Sequence, residues 1–216
     1  MNILIYSIGI YPDRSGGLVR YSTDLALQLS KQNKVFYLMP GKLGFIDRTV
    51  RIKKTKSENE LNVFVVNNAH PIPIYAGVKD VALYTKSTDQ SIYETFLKDH
   101  GIEIIHLHSL MGLHVEFLRA AKSLGIPVVM TTHDFFGLCP VVTLCKNGDV
   151  CKEKEIGANC LGCSQGAHSY LKLAIGQSDV YRRLKRKAVI KAFRNKTLPP
   201  TNPQSASIHH YAQTSE

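Results

Sequence analysis

Residues 2–21 of the chain read N-I-L-I-Y-S-I-G-I-Y-P-D-R-S-G-G-L-V-R-Y. A short apolar run rich in β-branched and aromatic residues fills residues 3–10, a Pro-Asp-Arg-Ser-Gly-Gly turn follows, and an amphipathic segment begins directly after it. This order predicts a β-strand, a glycine loop and an α-helix. Gly16 and Gly17 are then expected at a helix N-terminus, where backbone N–H groups bind anions and the missing Cβ allows a close approach. The alternative is a loop that needs glycine only for a positive φ angle.

The rest of the chain continues the alternation of short apolar runs and amphipathic segments. The predicted strands are residues 34–39, 49–53, 61–66, 102–107 and 127–132, and the predicted helices are residues 18–32, 91–100 and 112–124. This alternation is typical of an α/β, Rossmann-like fold with a doubly wound, mostly parallel sheet. Ligands of such sheets bind beyond the carboxyl ends of the strands, at the switch point where the strand order reverses.

Histidines lie at the predicted carboxyl ends of two strands. His106 and His108 end the run I-E-I-I-H-L-H, and His133 follows V-V-M-T-T and precedes Asp134. Together with the glycine loop, these strand ends are expected to meet at one edge of the sheet. We expect His106 and His108 on opposite faces of their strand. Each is either a site residue or a core histidine that is bonded to a backbone carbonyl.

The composition favours a single domain with acidic partners. At 216 residues and 44% apolar composition, the chain can bury one good core. Its net charge of +10 favours phosphate-rich ligands, anionic lipid surfaces or nucleic acid. No stretch approaches the ~20 apolar residues of a transmembrane helix, and the N-terminus resembles no signal peptide. The expected localisation is therefore cytoplasmic.

A strongly basic segment lies near the C-terminus. Eight of the 27 Lys and Arg residues fall between Arg182 and Lys196, and the only acid nearby is Asp179. Apolar residues interrupt the charges in residues 181–196, so the segment predicts a helix on the inner face of an anionic membrane. The alternative is a helix whose apolar side faces a neighbouring domain. Nucleic acid is not expected as a partner, because no recognised reader motif accompanies the charge.

All five cysteines lie between Cys139 and Cys163. An odd number without an export signal argues against a disulfide framework. Cys160 and Cys163 form a C-x2-C pair like half of a zinc site, whereas the spacings of the earlier cysteines match no standard zinc pattern. Reduced thiols in a loop, a structural zinc site, and disulfide or redox chemistry stay open as alternatives, and no metal ligand is assigned.

Three motifs, in this order, resemble the N-terminal domain of family 4 glycosyltransferases. They are the first strand with its P-x-x-x-G-G turn, the strand end I-E-I-I-H-L-H-S, and the segment I-P-V-V-M-T-T-H-D-F-F-G-L-C-P with further cysteines behind it. The likeness covers about residues 1–195. It implies a retaining transferase of the GT-B type, in which two Rossmann-like domains face each other across a cleft. The N-terminal domain mainly holds the acceptor, and the C-terminal domain, which we expect to lie outside this chain, holds the nucleotide sugar.

The resemblance also implies roles on the donor side of the site. Gly16 and Gly17 correspond to the loop that approaches the donor diphosphate. His133 corresponds to a histidine that faces the transferred sugar, and we expect it to position the sugar rather than to act as a general base. Asp134 is expected to orient His133 or to shape the acceptor pocket. No cofactor and no metal are implied.

On the acceptor side, the resemblance and the fold leave three candidates. Arg20 and Tyr21 lie in the first turn of the predicted helix, and His108 lies at a strand end. We expect all three to contact the acceptor, with simple packing as the alternative for Tyr21.

The expected organisation has three parts. Residues 1–178 form the Rossmann-like domain, with a cysteine-bearing loop at 135–163. A basic helix follows at 179–196, and a proline-containing, disordered tail at 197–216. The expected function is one half of a retaining glycosyltransferase that moves a sugar from a nucleotide sugar to a glycan or lipid-linked acceptor in surface polysaccharide synthesis, with a separate donor-domain chain as a partner. The alternative is a non-catalytic module that binds a glycan or lipid acceptor or docks on another transferase.

Overall fold

The computed structural model describes residues 1–55, 61–73, 77–146, 148–153, 158–160, 162–178 and 181. The chain divides into two units, Met1–Asp179 and Val180–Glu216, and the fold given below is that of the first. Apart from Tyr181, the predicted basic helix at 179–196 and the predicted tail at 197–216 lie outside the described residues.

The described residues contain a six-stranded sheet, a two-stranded hairpin and five α-helices. The strands are β1 (Asn2–Tyr6), β2 (Lys34–Pro40), β3 (Arg51–Lys54), β4 (Asn62–Asn67), β5 (Ile104–Leu107), β6 (Val128–Met130), β7 (Cys145–Lys146) and β8 (Asp149–Val150). The helices are α1 (Gly17–Ser30), α2 (Ala82–Thr85), α3 (Ser91–Asp99), α4 (Val115–Ser123) and α5 (Tyr170–Gly176).

The main sheet has the strand order β3-β4-β2-β1-β5-β6. Every neighbouring pair is parallel except β3 and β4, which are antiparallel. The chain leaves β1 toward β2 on one side and later returns to β5 on the other side, so the switch point lies between β1 and β5. The predicted α/β class with a doubly wound, mostly parallel sheet is confirmed.

Both faces of the central strands β1 and β2 are buried, as expected for parallel strands covered by helices. On β1, Leu4 and Tyr6 belong to one core cluster, which also includes Phe96 of α3 and Phe117 of α4. The alternate residues of β1 belong to a second cluster with Ala26 of α1. The period of two in a strand therefore divides the core into two layers, with α3 and α4 on one face and α1 on the other.

The strand β6 differs most from its prediction. It covers three residues where 127–132 were predicted, and among the described residues it pairs only with β5. Its side chains are 40% to 48% exposed. In the described part of the chain β6 is thus a half-covered edge strand, although its residues are apolar enough for a buried one.

The cysteine-bearing loop contains the β7–β8 hairpin and a 3-10 turn at Ala158–Cys160. All five cysteines are free thiols. Among the described residues, no group of three or more His, Cys, Asp and Glu side chains is placed to hold a metal ion. The zinc alternative therefore finds no ligand set in this part of the chain. In the same described part, no helix has both the length and the apolar character to span a bilayer.

Candidate functional site

The glycine loop connects β1 to α1 at the switch point. Gly16 is the residue before the helix and has a φ angle of 135°, and α1 begins at Gly17. No side chain caps this end of the helix, and its first turn contains no acidic residue. A Cβ atom added to either glycine would meet nothing within 4 Å. Space is therefore open at the start of α1, where the first N–H groups have no partner within the helix.

A buried network of hydroxyl groups holds the glycine loop in place. The Tyr37 hydroxyl on β2 donates to the carbonyl of Gly9 at 2.9 Å. The hydroxyl oxygen of Ser22 on α1 lies 2.8 Å from that of Tyr37 and 2.9 Å from that of Ser7, both within hydrogen-bond distance. The three side chains are fully buried, so the network ties β1, β2 and α1 to the loop at one point.

Tyr37→Phe should therefore destabilise the chain by about 1–3 kcal/mol, because it leaves the Gly9 carbonyl without its donor in a buried place. Tyr170→Phe is the matched control, since the Tyr170 hydroxyl also donates to a backbone carbonyl, that of Gly44, but is only partly buried. Urea unfolding of both variants measures the difference. Equal losses of unfolding free energy would show that the buried Tyr37 network stabilises the chain no more than the partly buried Tyr170 bond does.

The histidines of β5 and β6 meet beyond the carboxyl ends of these strands. The Nδ1 atom of His108 lies 3.1 Å from Nε2 of His133. The ring of His106 lies 4.2 Å from the ring of His108, and its Nε2 atom is bonded to the Thr131 hydroxyl at 2.8 Å. The prediction that His106 and His108 lie on opposite faces is wrong, because residues two apart in a strand share a face.

The electrostatics of this cluster keep its inner members neutral. Burial, followed by the charges of the neighbouring His106 and His133, lowers the pKa of His108 to about 4. Burial is also the main cause that lowers the pKa of His106, and His133 is the second cause. At neutral pH the His108 ring is therefore uncharged when it forms its hydrogen bond with His133.

Tyr21 joins α1 to the histidine pair. Its ring centre lies 5.6 Å from that of His108 and 5.1 Å from that of His133. The tyrosine remains half exposed, so it packs against both histidines and still presents a face to solvent. The structure thus brings together three of the predicted site residues from three different elements.

Arg20, in the same turn of α1, points elsewhere. Its guanidinium donates to Asp24 at 2.8 Å and lies 4.6 Å from the centre of the Tyr11 ring. The Asp24 carboxylate raises the pKa of Arg20 by its hydrogen bond and its charge. Both described contacts are on the surface of α1 and its preceding loop, and neither is with the histidine pair.

Asp134 holds the loop after β6 against the end of β5. Its Oδ2 atom accepts from the Ser109 hydroxyl at 3.2 Å, and its Oδ1 atom accepts from the backbone N–H of Phe136 at 3.0 Å. The hydrogen bond described for His133 comes from His108 instead. Sequence reasoning missed Ser109, although its position directly after the histidines at the strand end was the available signal.

The sequence profile of Glycosyltransferase Family 4 matches residues 15–148, which is more than half of the chain. The chain belongs to this family. The resemblance noted in the motifs is thereby confirmed. The matched part of this family 4 chain contains all the predicted site residues: Gly16, Gly17, Arg20, Tyr21, His108, His133 and Asp134.

Among solved structures, this family 4 chain is similar to the catalytic domain of starch synthase IV from Arabidopsis thaliana bound to ADP and acarbose. The sequence identity is 17% and the TM-score is 0.33. The match covers 62% of this chain and 34% of that one, so the chain spans about a third of the length of that structure. No curated protein matches the chain.

Proposed function

We propose that this family 4 chain supplies the acceptor-side half of a retaining glycosyltransferase, formed by residues 1–178. Its reaction is the transfer of a sugar from a nucleotide sugar to a glycan or lipid-linked acceptor in surface polysaccharide synthesis. The observation that carries the proposal is the arrangement around α1, which begins at an uncapped glycine loop and places Tyr21 against the His108–His133 pair. The proposed phosphate site and the proposed sugar site would then be adjacent at the start of α1.

The glycine loop would bind the diphosphate of the donor. When the sugar leaves, the bond between its anomeric carbon and the phosphate oxygen breaks, and negative charge gathers on the nucleoside diphosphate. Preorganised N–H groups at the start of a helix stabilise this charge. The acceptor hydroxyl forms the new glycosidic bond on the same face of the sugar, and its proton passes to the leaving phosphate oxygen.

His133 would hold the sugar as a hydrogen-bond donor. The Nε2 atom of His108 is buried and has no hydrogen-bond partner among the described residues, which favours a bare lone pair there over an orphaned N–H group. His108 then carries its proton on Nδ1 and donates it to Nε2 of His133. A histidine that accepts through Nε2 carries its own proton on Nδ1. His133 thus offers an N–H group to the sugar and has no free lone pair with which to act as a base.

Calorimetric titration of the chain with UDP, GDP and their sugars tests the proposal. We expect binding that His133→Ala weakens roughly fivefold for the nucleotide sugar, the effect of about one neutral hydrogen bond. The same variant should leave binding of the bare nucleotide unchanged, because His133 would contact only the sugar. His168→Ala, a histidine outside the cluster, is the control. If none of the nucleotides binds, the donor site proposed here does not exist in this chain.

A further inference from the structure

A second part of the surface combines exposed apolar side chains with basic residues in the same segments. In the loop that follows β2, Phe45 is 53% exposed and Ile46 is 99% exposed. On the neighbouring α5, Leu171 is 57% and Ile175 is 49% exposed. Large apolar side chains at these levels of exposure are costly in water, and a group of four in adjacent segments indicates an interaction surface.

The loop is fixed to α5 by specific contacts. The Tyr170 hydroxyl donates to the carbonyl of Gly44 at 2.8 Å, and the guanidinium of Arg48 lies 4.3 Å from the centre of the Tyr170 ring. Leu43 packs in a small core with Leu173 and Ala174. These contacts hold the stem of the loop, so Phe45 and Ile46 project from a packed base.

The helix α5 has an exposed apolar face beside the face that packs against the loop. Leu171 and Ile175 are four residues apart and therefore share a face of the helix. The adjacent face, which includes Leu173 and Ala174, packs against the loop. The exposed pair on α5 and the exposed pair at the loop tip thus flank one packed seam.

The charges in these two segments are mostly positive. Residues 41–51 and α5 contain four cations and one acid, namely Lys42, Arg48, Arg51, Lys172 and Asp47. The Asp47 carboxylate is bonded to Arg51 at 2.6 Å and is neutralised by it. The other three cations of these two segments have no acidic residue in them to balance their charge. Apolar side chains that project from a basic surface are the arrangement that binds anionic bilayers.

We propose that the loop 41–48 and α5 form a docking surface for an anionic lipid bilayer, into which Phe45 and Ile46 insert. This surface is distinct from the predicted basic segment at 181–196. Because β2 is parallel to β1 and β5, its following loop lies at the same edge of the sheet as the glycine loop. Docking would hold that edge toward the membrane. The docking itself does not depend on the proposed transfer reaction.

The chain contains no tryptophan, so one introduced tryptophan reports on its own surroundings. In the full chain, we expect the fluorescence of Ile46→Trp to shift to shorter wavelength with phosphatidylcholine vesicles that contain phosphatidylglycerol, and brominated lipid tails to quench it. Gln32→Trp is the matched control, because Gln32 is exposed at the opposite edge of the sheet, before β2 begins. Its emission should not change with the same vesicles.

A second variant measures the strength of the contact. Phe45→Ser combined with Ile46→Ser should weaken sedimentation with the anionic vesicles by about tenfold or more, because two large apolar side chains no longer enter the lipid. Both residues are exposed, so this variant should keep the unfolding midpoint of the unsubstituted chain.

Several results would overturn the proposal. The absence of vesicle binding is one, and equal binding to vesicles of phosphatidylcholine alone is another. A third is sedimentation with the vesicles without any change in the fluorescence of Ile46→Trp, which would assign the binding to another segment such as 181–196. A spectral shift of Ile46→Trp that follows protein concentration without lipid would assign the surface to contacts between copies of the chain. Nucleotide titration is independent of all these measurements, so the two proposals fail separately.

Discussion

Gly17→Ala should weaken the binding of a nucleoside diphosphate by about tenfold or more and leave the chain as stable as before or slightly more stable. Gly17 is the first residue of α1, and its added Cβ would meet no protein atom within 4 Å. Alanine is favoured over glycine in helices by about 0.5–1 kcal/mol. The same methyl group would occupy the space that a phosphate needs to reach the N–H groups. A lost hydrogen bond to a charged group costs about 1.5–3 kcal/mol, which is tenfold or more in affinity.

Gly176→Ala is the matched control for this prediction. Gly176 is also helical and its added Cβ would also meet no protein atom within 4 Å, but it ends α5 rather than beginning α1. Calorimetry with UDP and GDP, together with urea unfolding, should show lost affinity in the Gly17 variant alone. An unchanged affinity in that variant would mean that the phosphate does not approach the loop at this residue. Gly16 is a poorer test, because its φ angle of 135° strains any other side chain.

The sequence predicted the strands well where they are buried on both faces. The residues of β1, β2 and β4 form near-continuous apolar runs, because helices cover a parallel sheet on both sides. The bounds of β2 and β4 were predicted within one residue, whereas β1 ends at Tyr6, four residues before the end of the apolar run at 3–10. The same rule predicted too long a strand at β6, since a run of apolar residues there does not by itself tell whether other elements cover the strand.

The sequence predicted at which edge of the sheet the candidate site lies. It did not predict which residues of the site contact each other. Parallel strands bring their carboxyl ends together, which is why His108 and His133 were expected to meet. The bond between them, and that between Ser109 and Asp134, each join residues 25 positions apart, and their geometry depends on the path of the loops. The periodicity of apolar residues in the sequence does not predict the conformation of these loops.

The hydrogen-bond network around Tyr37 was not predicted for the same reason. A tyrosine in an apolar strand predicts a buried ring, and the strand pattern gives no partner for its hydroxyl. Its partners Ser22 and Gly9 come from α1 and from the loop before it, and they meet the hydroxyl only once the βαβ unit has closed. The bond from Tyr170 to Gly44 is even less predictable from a sequence pattern, because it joins residues 126 positions apart.

A fall in pH from 7 to 5 should destabilise this chain steeply, because two buried histidines resist protonation. His114 lies between the Tyr93 hydroxyl, 2.6 Å from its Nδ1 atom, and the ring of His70, 4.2 Å away. Burial, followed by the charges of His70 and Lys86, lowers the pKa of His114 to about 3. His108 in the site has its pKa lowered to about 4, with burial as the first cause.

The sign of the effect follows from these two pKa values. Both lie below the value of about 6.5 for histidine in an unfolded chain. Neutral His108 and His114 therefore contribute their full stability above pH 6.5, and the contribution falls as the pH drops toward 4 and 3. In that window the unfolded state binds about one more proton per histidine. The free energy of unfolding should fall by about 1.4 kcal/mol for each histidine and each pH unit.

Urea unfolding between pH 7.5 and 5 measures this slope, and His114→Asn should reduce it by about one proton. Asparagine suits the position before α4, because it is among the best residues at a helix N-cap. Tyr93→Phe is the control, since it removes the hydroxyl bonded to His114 but keeps the buried imidazole. It should lower stability at every pH and keep most of the slope. If His114→Asn keeps the full slope as well, then His114 is not one of the groups that make the fold sensitive to acid, and protonation elsewhere controls it.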